Sequence, residues 1–565
     1  MSYRLAIVED NASARATLRS HLLSLGLFDI SSFSNGNELK SALRKQNFEI
    51  LLLDFHLGEG RNGVEWLQLL RNEQFIKPST GIIFITCDRL PQTIGQIIDC
   101  QPDLLLIKPY NMHSLSRGLK HYVAYRGFVR DALYALDKDD TEQALSLLQR
   151  QLESTVPPRL RNDILKLKAQ LLFDIGNIPR ARALYDTILL ESDKVLWAQW
   201  GKVKCHYVEG NWFACKDALS EMVSSQLARD KAFEWLAGLC FEQEAYSQAE
   251  FYLDHIKTSA LSVPATRLKS LTYQKQHRII EGIELLQKKR DANQSARDKF
   301  HEFTFELAEF YLSIAEQQPL TNRIESLSQA RKLIGIAGRT LSDPQSVQKR
   351  DVLMAYTALL NNQSDKAAEL MQGDSTLQFQ RTDAGTLVTA AKVYGGVGQP
   401  QKAREMLALA HARNQTNLDL SDQITHQQSL TLTEQKMGLA AEQAFELNDT
   451  GTRLFVQQQY LQAMYYFYQA YRLLPGTAAF GLNLLQCMVQ ANHPAYRTFT
   501  VVALLENMSE AALSGNNQQR LAQLRQKVAE NKHLYASAKV LDIADTDTST
   551  EPAHPVKTDS AGSAS

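Results

Sequence analysis

The chain has 565 residues, 61 Lys plus Arg against 62 Asp plus Glu, and a net charge of -1. That length exceeds a single hydrophobic core, so several domains or a repeat array are expected. The balanced charge gives no general attraction to nucleic acid or anionic lipid, and no apolar run approaches the roughly 18 residues of a membrane span.

The first ten residues reach Glu9 and Asp10 too early for a secretory leader. Six cysteines are scattered without a CxxC pair. They read as buried small hydrophobes in a reducing cytosol, so the expected location is cytoplasmic.

From the amino terminus, short apolar runs alternate with amphipathic segments. Strands are expected at 4–9, 29–33, 50–54, 82–86 and 104–108, and helices at 12–25, 37–46, 64–73, 92–99 and after Met112. Runs this short and apolar, bounded by turn residues, suit parallel strands buried on both faces. Five such units imply a doubly wound α/β sheet. Four of the strands end on a polar residue or next to one: Asp10, Asp54, Thr86 and Lys108. Ligands of a parallel sheet collect outside the carboxyl ends of its strands. Two carboxylates, a hydroxyl and an ammonium gathered there suit a metal ion and a phosphate.

After residue 122 no strand is expected. The segments LLFDIGNIPRARALY, CHYVEGNWFACKDAL and LCFEQEAYSQAEFYL put turn positions at Gly176, Gly210 and Glu244, 34 residues apart each time. Small residues precede the turn by seven (Ala169, Val203, Ala237) and follow it by five (Ala181, Cys215, Ala249). A bulky residue comes four further on (Tyr185, Leu219, Leu253). The same register recurs at Ala355, Ala367 and Met371, at Ala391, Gly398 and Ala403, and from Gly451 to Ala470. Each unit reads as two antiparallel helices, with small side chains at the crossing to let the axes approach. One pair cannot bury its apolar face, so neighbours stack. The trio Trp197, Trp200 and Trp212, with Tyr246 and Tyr460, reads mainly as core. Residues 417–436 fit the register poorly and read as a long loop or irregular helix, 518–541 as a terminal helix, and the tail from Thr546 as disordered.

These units resemble tetratricopeptide (TPR) repeats, which implies an all-α solenoid with a groove for a protein or peptide partner. The expected division is 123–292 as TPR-like repeats, 293–345 as a degenerate repeat, 346–515 as TPR-like repeats, 516–541 as a terminal helix and 542–565 as a tail.

The set Glu9, Asp10, Asp54, Thr86 and Lys108–Pro109 resembles the receiver domain of two-component response regulators over residues 1 to about 122. The resemblance implies a flavodoxin-like sheet of order 2-1-3-4-5. It makes Asp54 the phosphoacceptor and gives Mg2+ the ligands Asp10, Asp54, Glu9 and the backbone carbonyl of His56. Lys108 and Thr86 would act on the phosphoryl group, and the Lys108–Pro109 peptide bond would be cis. The implied activity is phosphorelay signal transduction, without enzyme activity beyond the domain's own phosphorylation and dephosphorylation. The implied partner is a sensor histidine kinase or phosphotransfer protein. Two departures bear on switching: Leu105 stands where the family usually has an aromatic ring, and Cys87 where it has a small residue. They leave room for an alternative, a constitutive TPR scaffold whose receiver is a docking module. Nucleic acid and membrane are not expected partners, and a homodimer remains open.

Overall fold

The computed structural model describes residues 2–535 apart from 59–60, 90, 155, 226, 295–296, 320–321, 339–343, 372–378, 380–381, 416, 418 and 510–512. The tail expected from Thr546 lies outside the described residues.

The amino-terminal part alternates β1 (Tyr3–Val8), α1 (Ala12–Leu23), β2 (Phe28–Phe33), α2 (Gly36–Leu43), β3 (Ile50–Asp54), α3 (Gly63–Asn72), β4 (Gly81–Thr86), α4 (Pro91–Asp99), β5 (Leu104–Ile107) and α5 (Met112–Phe128). The sheet is parallel with order β2-β1-β3-β4-β5. Alternate residues feed two apolar layers. Leu5, Ile7, Ile50, Leu52, Ile83 and Ile85 face α1 and α5, while Ala6, Val8, Leu51, Leu53, Ile82 and Phe84 face α2, α3 and α4. Both faces are covered, so the strands read as unbroken apolar runs.

The first apolar layer continues into the helices that follow, through Val129, Ala132, Ala144, Leu148, Leu160 and Ile164. Here α6 (Arg130–Leu136) starts one residue after α5 and pairs with α7 (Thr141–Glu153). Then come α8 (Pro158–Asp174) with α9 (Ile178–Glu191), α10 (Leu196–Val208) with α11 (Trp212–Met222), and α12 (Arg229–Glu242) with α13 (Tyr246–Asp254). Next are α14 (Val263–Lys275) with α15 (Ile279–Ala292), α16 (Arg297–Gln317) with α17 (Arg323–Gly338), α18 (Pro344–Leu360) with α19 (Ser364–Leu370), and α20 (Ala384–Gly396) with α21 (Pro400–Gln415). A single helix, α22 (Leu420–Lys436), precedes the pair α23 (Ala440–Val456) and α24 (Tyr460–Leu473). The chain closes with α25 (Ala478–Gln490), strands β6 (Ala495–Tyr496) and β7 (Phe499–Thr500), α26 (Val501–Asn507), α27 (Gly515–Glu530) and α28 (Lys532–Tyr535).

The 34-residue period has a backbone cause. A left-handed residue ends the first helix of successive pairs: Gly176 (φ 78°), Gly210 (φ 70°), Glu244 (φ 63°) and His277 (φ 61°). It returns at Asn362, Gly398 and Gln458. That conformation stops a helix and turns the chain back on itself. The flanking small residues Ala169, Ala181, Val203, Cys215, Ala237 and Ala249 are fully buried at the crossings.

Three expectations are refined or corrected. Residues 420–436, expected as a long loop or irregular helix, form one continuous helix whose polar side chains pair with several neighbouring helices. A strand pair, β6 and β7, follows α25 where none was expected, with only two residues per strand to signal it. The terminal helix is described as two, α27 and α28, with a break at Asn531.

The amino-terminal α/β part is tied to the array at several points. Ser79 donates to Asp137 from its backbone N–H (3.0 Å) and its hydroxyl (2.8 Å). Lys166 Nζ donates to the Pro102 carbonyl (2.9 Å) and His121 meets Asp163 (2.7 Å). Helix α4 packs on α12.

Candidate functional site

Four strand ends converge at one edge of the sheet. β1 delivers Glu9 and Asp10. The side chain of Asn11 caps α1 by accepting the Ala14 N–H (3.0 Å). Cap formation starts the helix directly after the acidic pair. One turn in, Arg15 Nη1 donates to the Glu9 carbonyl (2.6 Å) and more weakly to that of Asp10 (3.2 Å), fixing the backbone of both acids.

β3 ends on Asp54, which is buried. Its Oδ1 accepts the backbone N–H of His56 (3.2 Å) and its Oδ2 accepts from Lys108 Nζ (2.6 Å). The loop after it is held by close packing. A Cβ on Gly63 would lie 2.2 Å from the Asp54 carbonyl oxygen, and the Gly63 N–H donates to the Phe55 carbonyl (2.8 Å). Gly58 takes φ 78° and faces Asp10, with Oδ2 only 3.4 Å from the place of a Cβ. His56 adjoins the site through its backbone; its ring is 54% exposed and Nε2 is 3.6 Å from Asp88 Oδ2.

β4 ends on Thr86, fully buried, whose hydroxyl oxygen accepts the Asp88 N–H (3.0 Å). That leaves its own proton to donate. Asp88 in turn accepts from the Thr93 hydroxyl on α4 (2.6 Å). Lys108 follows β5; its backbone N–H donates to the Thr86 carbonyl (2.7 Å), and the Lys108–Pro109 bond is cis.

The lysine ammonium lies between two acids, 2.6 Å from Asp54 and 2.7 Å from Glu9. Burial opposes the charge on Lys108, but the hydrogen bonds it donates to Asp54 and Glu9 outweigh it and raise its pKa. Burial pushes the Glu9 carboxyl up to about 7, with the neighbouring Asp54 adding to the rise and Lys108 opposing it.

Ligand oxygens of Glu9, Asp10 and Asp54 lie within 4.8 Å of one another. Three carboxyl groups against one ammonium leave the corner short of positive charge. Hard oxygen donors in that number suit Mg2+.

All six residues named from the sequence, Glu9, Asp10, Asp54, His56, Thr86 and Lys108, belong to this edge. The sequence reading missed Arg15 and Tyr110. Arg15 lies five residues beyond the acidic pair, a spacing no motif marks. Tyr110 is held above its usual pKa by burial, with Lys108 opposing and Glu9 and Asp54 adding to the rise, so it shares the site's field.

Residues 5–120 match the response regulator receiver domain family. No curated protein matches the chain. Among solved structures, response regulator DrrB, a Thermotoga maritima OmpR/PhoB homolog, is 15% identical, spans 30% of this chain and 89% of its own, and gives a TM-score of 0.20. A tetratricopeptide repeat protein from Parabacteroides merdae is 14% identical, spans 51% of this chain and 98% of its own, with a TM-score of 0.33. The APC/C hetero-tetramer Cut9–Hcn1 is 12% identical, spans 74% of this chain and 94% of the other, with a TM-score of 0.24.

Proposed function

We propose, from the premise that residues 5–120 form a response regulator receiver domain, that this protein takes a phosphoryl group onto Asp54 and passes the signal on by protein binding through its TPR-like array. The observation that carries this reading is the Asp54 carboxylate, buried at a strand end and held from both sides by the His56 N–H and the Lys108 ammonium.

In the proposed step a carboxylate oxygen of Asp54 forms a bond to phosphorus as the P–N bond of a donor phosphohistidine breaks. The donor imidazole leaves with the bonding electron pair and takes up a proton. Lys108 sets a positive charge on the carboxylate side, where the transferring group arrives with negative charge. The free Thr86 hydroxyl proton is available to a phosphoryl oxygen. Arg15 keeps the Glu9 and Asp10 backbones in place while charge shifts in front of them. A bound Mg2+ supplies the charge that lets two anions approach. Glu9, Asp10, Asp54 and the backbone carbonyl of His56 are the groups we assign to hold it.

The donor is a histidine kinase or phosphotransfer protein. Among the described residues no helix is long and apolar enough to cross a membrane. The test is a phosphate-affinity gel of wild type and Asp54→Ala after incubation with acetyl phosphate and magnesium. Wild type is expected to shift and the variant to stay. Equal shifts in both, or none in wild type, would reject the assignment.

One observation favours the scaffold alternative. Leu105 packs as an aliphatic part of the α2–α4 layer, at the position where the resemblance would put an aromatic ring. Partner affinity that ignores beryllofluoride, a phosphoryl mimic, would select that alternative.

A further inference from the structure

One helix of the chain lies along the array instead of stacking in it. α22 touches α12, α14 and α20 besides its chain neighbours α21 and α23, and it reaches α16 through Lys436 and Glu316 (2.9 Å). These contacts fall on the first helices of their pairs, the row that a stack of pairs turns inward.

Its seat is largely polar. At the amino-terminal end Lys231 of α12 holds Asp419 (3.1 Å), and the Ser421 hydroxyl donates to Glu234 (2.7 Å). Arg267 of α14 holds Asp422 (2.6 Å) with one arm and Glu306 with the other. Leu420 and Ile424 lie over Gly238, where a Cβ would come 2.9 Å from Ile424 Cδ1. His426 lies over Gly385 of α20, with Nε2 3.1 Å from the place of a Cβ. At the other end Glu434 meets His411 (2.7 Å) and Lys436 meets Glu316.

The sequence LSDQITHQQSLTLTEQK buries Ser421, Thr425, His426, Thr433 and Glu434 beside three aliphatic side chains. Buried ion pairs bring register and selectivity but little net hold, since both partners regain water on release. The seat is also directional. Its cations Lys231 and Arg267 meet the acidic amino-terminal end of the helix, in line with the helix dipole, while at the other end Glu316 takes Lys436 and His411 takes Glu434.

We propose that the inner face of α12, α14, α16 and α20 is a docking site for a helix of a partner protein, and that α22 fills it in cis. The partner helix carries an acidic first turn, two aliphatic residues one turn apart and a lysine at its carboxyl-terminal end. This deepens the protein-binding reading of the array and needs no phosphorylation, so its failure would leave the Asp54 assignment standing.

The receiver bears on the same seat. Helix α4 lies on α12 with Ile98 in the apolar cluster of that helix, and a Cβ on Gly95 would touch Lys231 Cβ at 3.5 Å. Lys231 is thus buttressed by α4 and bonded to the first residue of the α22 cap. From the acceptor edge, Thr86, Asp88 and Thr93 form a hydrogen-bonded path to α4.

The test uses a fluorescein-labelled peptide of residues 417–438 and the full chain, read by anisotropy. A chain carrying Asp419→Ala and Asp422→Ala is expected to bind the native peptide at least tenfold tighter than wild type does. A peptide carrying the same two changes is expected to bind neither. Equal affinity for both chains, no binding to the variant, or binding of the altered peptide overturns the proposal. So does a dimer of the variant that shuts the peptide out, which would mean exchange of α22 between copies. If the variant does not fold, hydrogen exchange of wild type decides. Amides of α22 are expected to exchange at least tenfold faster than those of α12, and equal protection overturns the proposal.

Discussion

At the Asp54 edge the decisive quantity is charge. Glu9 is almost fully buried beside Asp54, with Lys108 as the nearest cation. Its carboxyl is raised from 4.5 to about 7, so the folded state holds this proton more tightly than the unfolded chain does. The stabilisation is complete below pH 4.5 and is lost as pH rises through about 7. In metal-free buffer the receiver is expected to lose stability over that window, by at most roughly 1.4 kcal/mol per pH unit. Chemical denaturation of Glu9→Gln at pH 5 and pH 7.5 should show the slope flattened; an unchanged slope assigns the proton elsewhere. Gly63 makes a second prediction. The Cβ of Gly63→Ala would lie 2.2 Å from the Asp54 carbonyl oxygen, so the loop has to move. The variant is expected to lose about 2 kcal/mol or more, seen as a lower melting temperature, and to be phosphorylated more slowly. The charged members of this edge were legible in the sequence because each follows an apolar strand. Arg15 was not, because its role is made by a bond to backbone, which leaves no pattern in residue type.

Among the elements, those with one clear period were readable. The five strands and five helices of the receiver lie within a few residues of their expected bounds, since two-sided burial and amphipathic faces both leave periodic signals. The helix pairs were readable through a turn conformation that recurs at fixed distance. α22 was not, because a helix buried against partners on several sides by polar groups has no apolar stripe. Its carboxyl-terminal anchor gives a third prediction. Burial raises the Glu316 carboxyl, but Lys392 (2.8 Å) and Lys436 (2.9 Å) more than compensate and bring it to about 2. Its stabilisation is present above the unfolded value of 4.5 and is lost as pH falls from there toward 2. Wild type is therefore expected to lose more stability than Glu316→Gln between pH 5 and pH 3 in urea titrations. Parallel losses would show that the two lysines do not hold this acid.

At the scale of the whole molecule, residues far apart in sequence close the array on itself. Arg497, in the turn between β6 and β7, donates its backbone N–H to the Gly210 carbonyl (2.6 Å). Its guanidinium is buried among the rings of Tyr207, Trp212, Tyr465, Tyr468 and Tyr496, at 5.0 to 5.8 Å from their centroids. Gly210 leaves room for the Tyr496 ring, which a Cβ would approach to 2.5 Å. Nearby, Arg472 of α24 reaches Glu242 of α12 (3.2 Å). None of this was visible in the sequence, where Arg497 is a single base between a tyrosine and a threonine. Arg497→Ala is expected to cost roughly 2 kcal/mol or more, the scale of a desolvated cation over aromatic faces. X-ray scattering should report a larger radius of gyration. An unchanged radius would show that the other contacts suffice.

A string of repeats joined only to nearest neighbours can fray from either tip, one unit at a time. The clasp around Arg497 takes that freedom away, because peeling back the late helices also strips the cover from the turn between α10 and α11. Denaturation should then run through the middle and late repeats as one event. Trimming the chain before residue 495 should weaken helices nearly three hundred positions upstream.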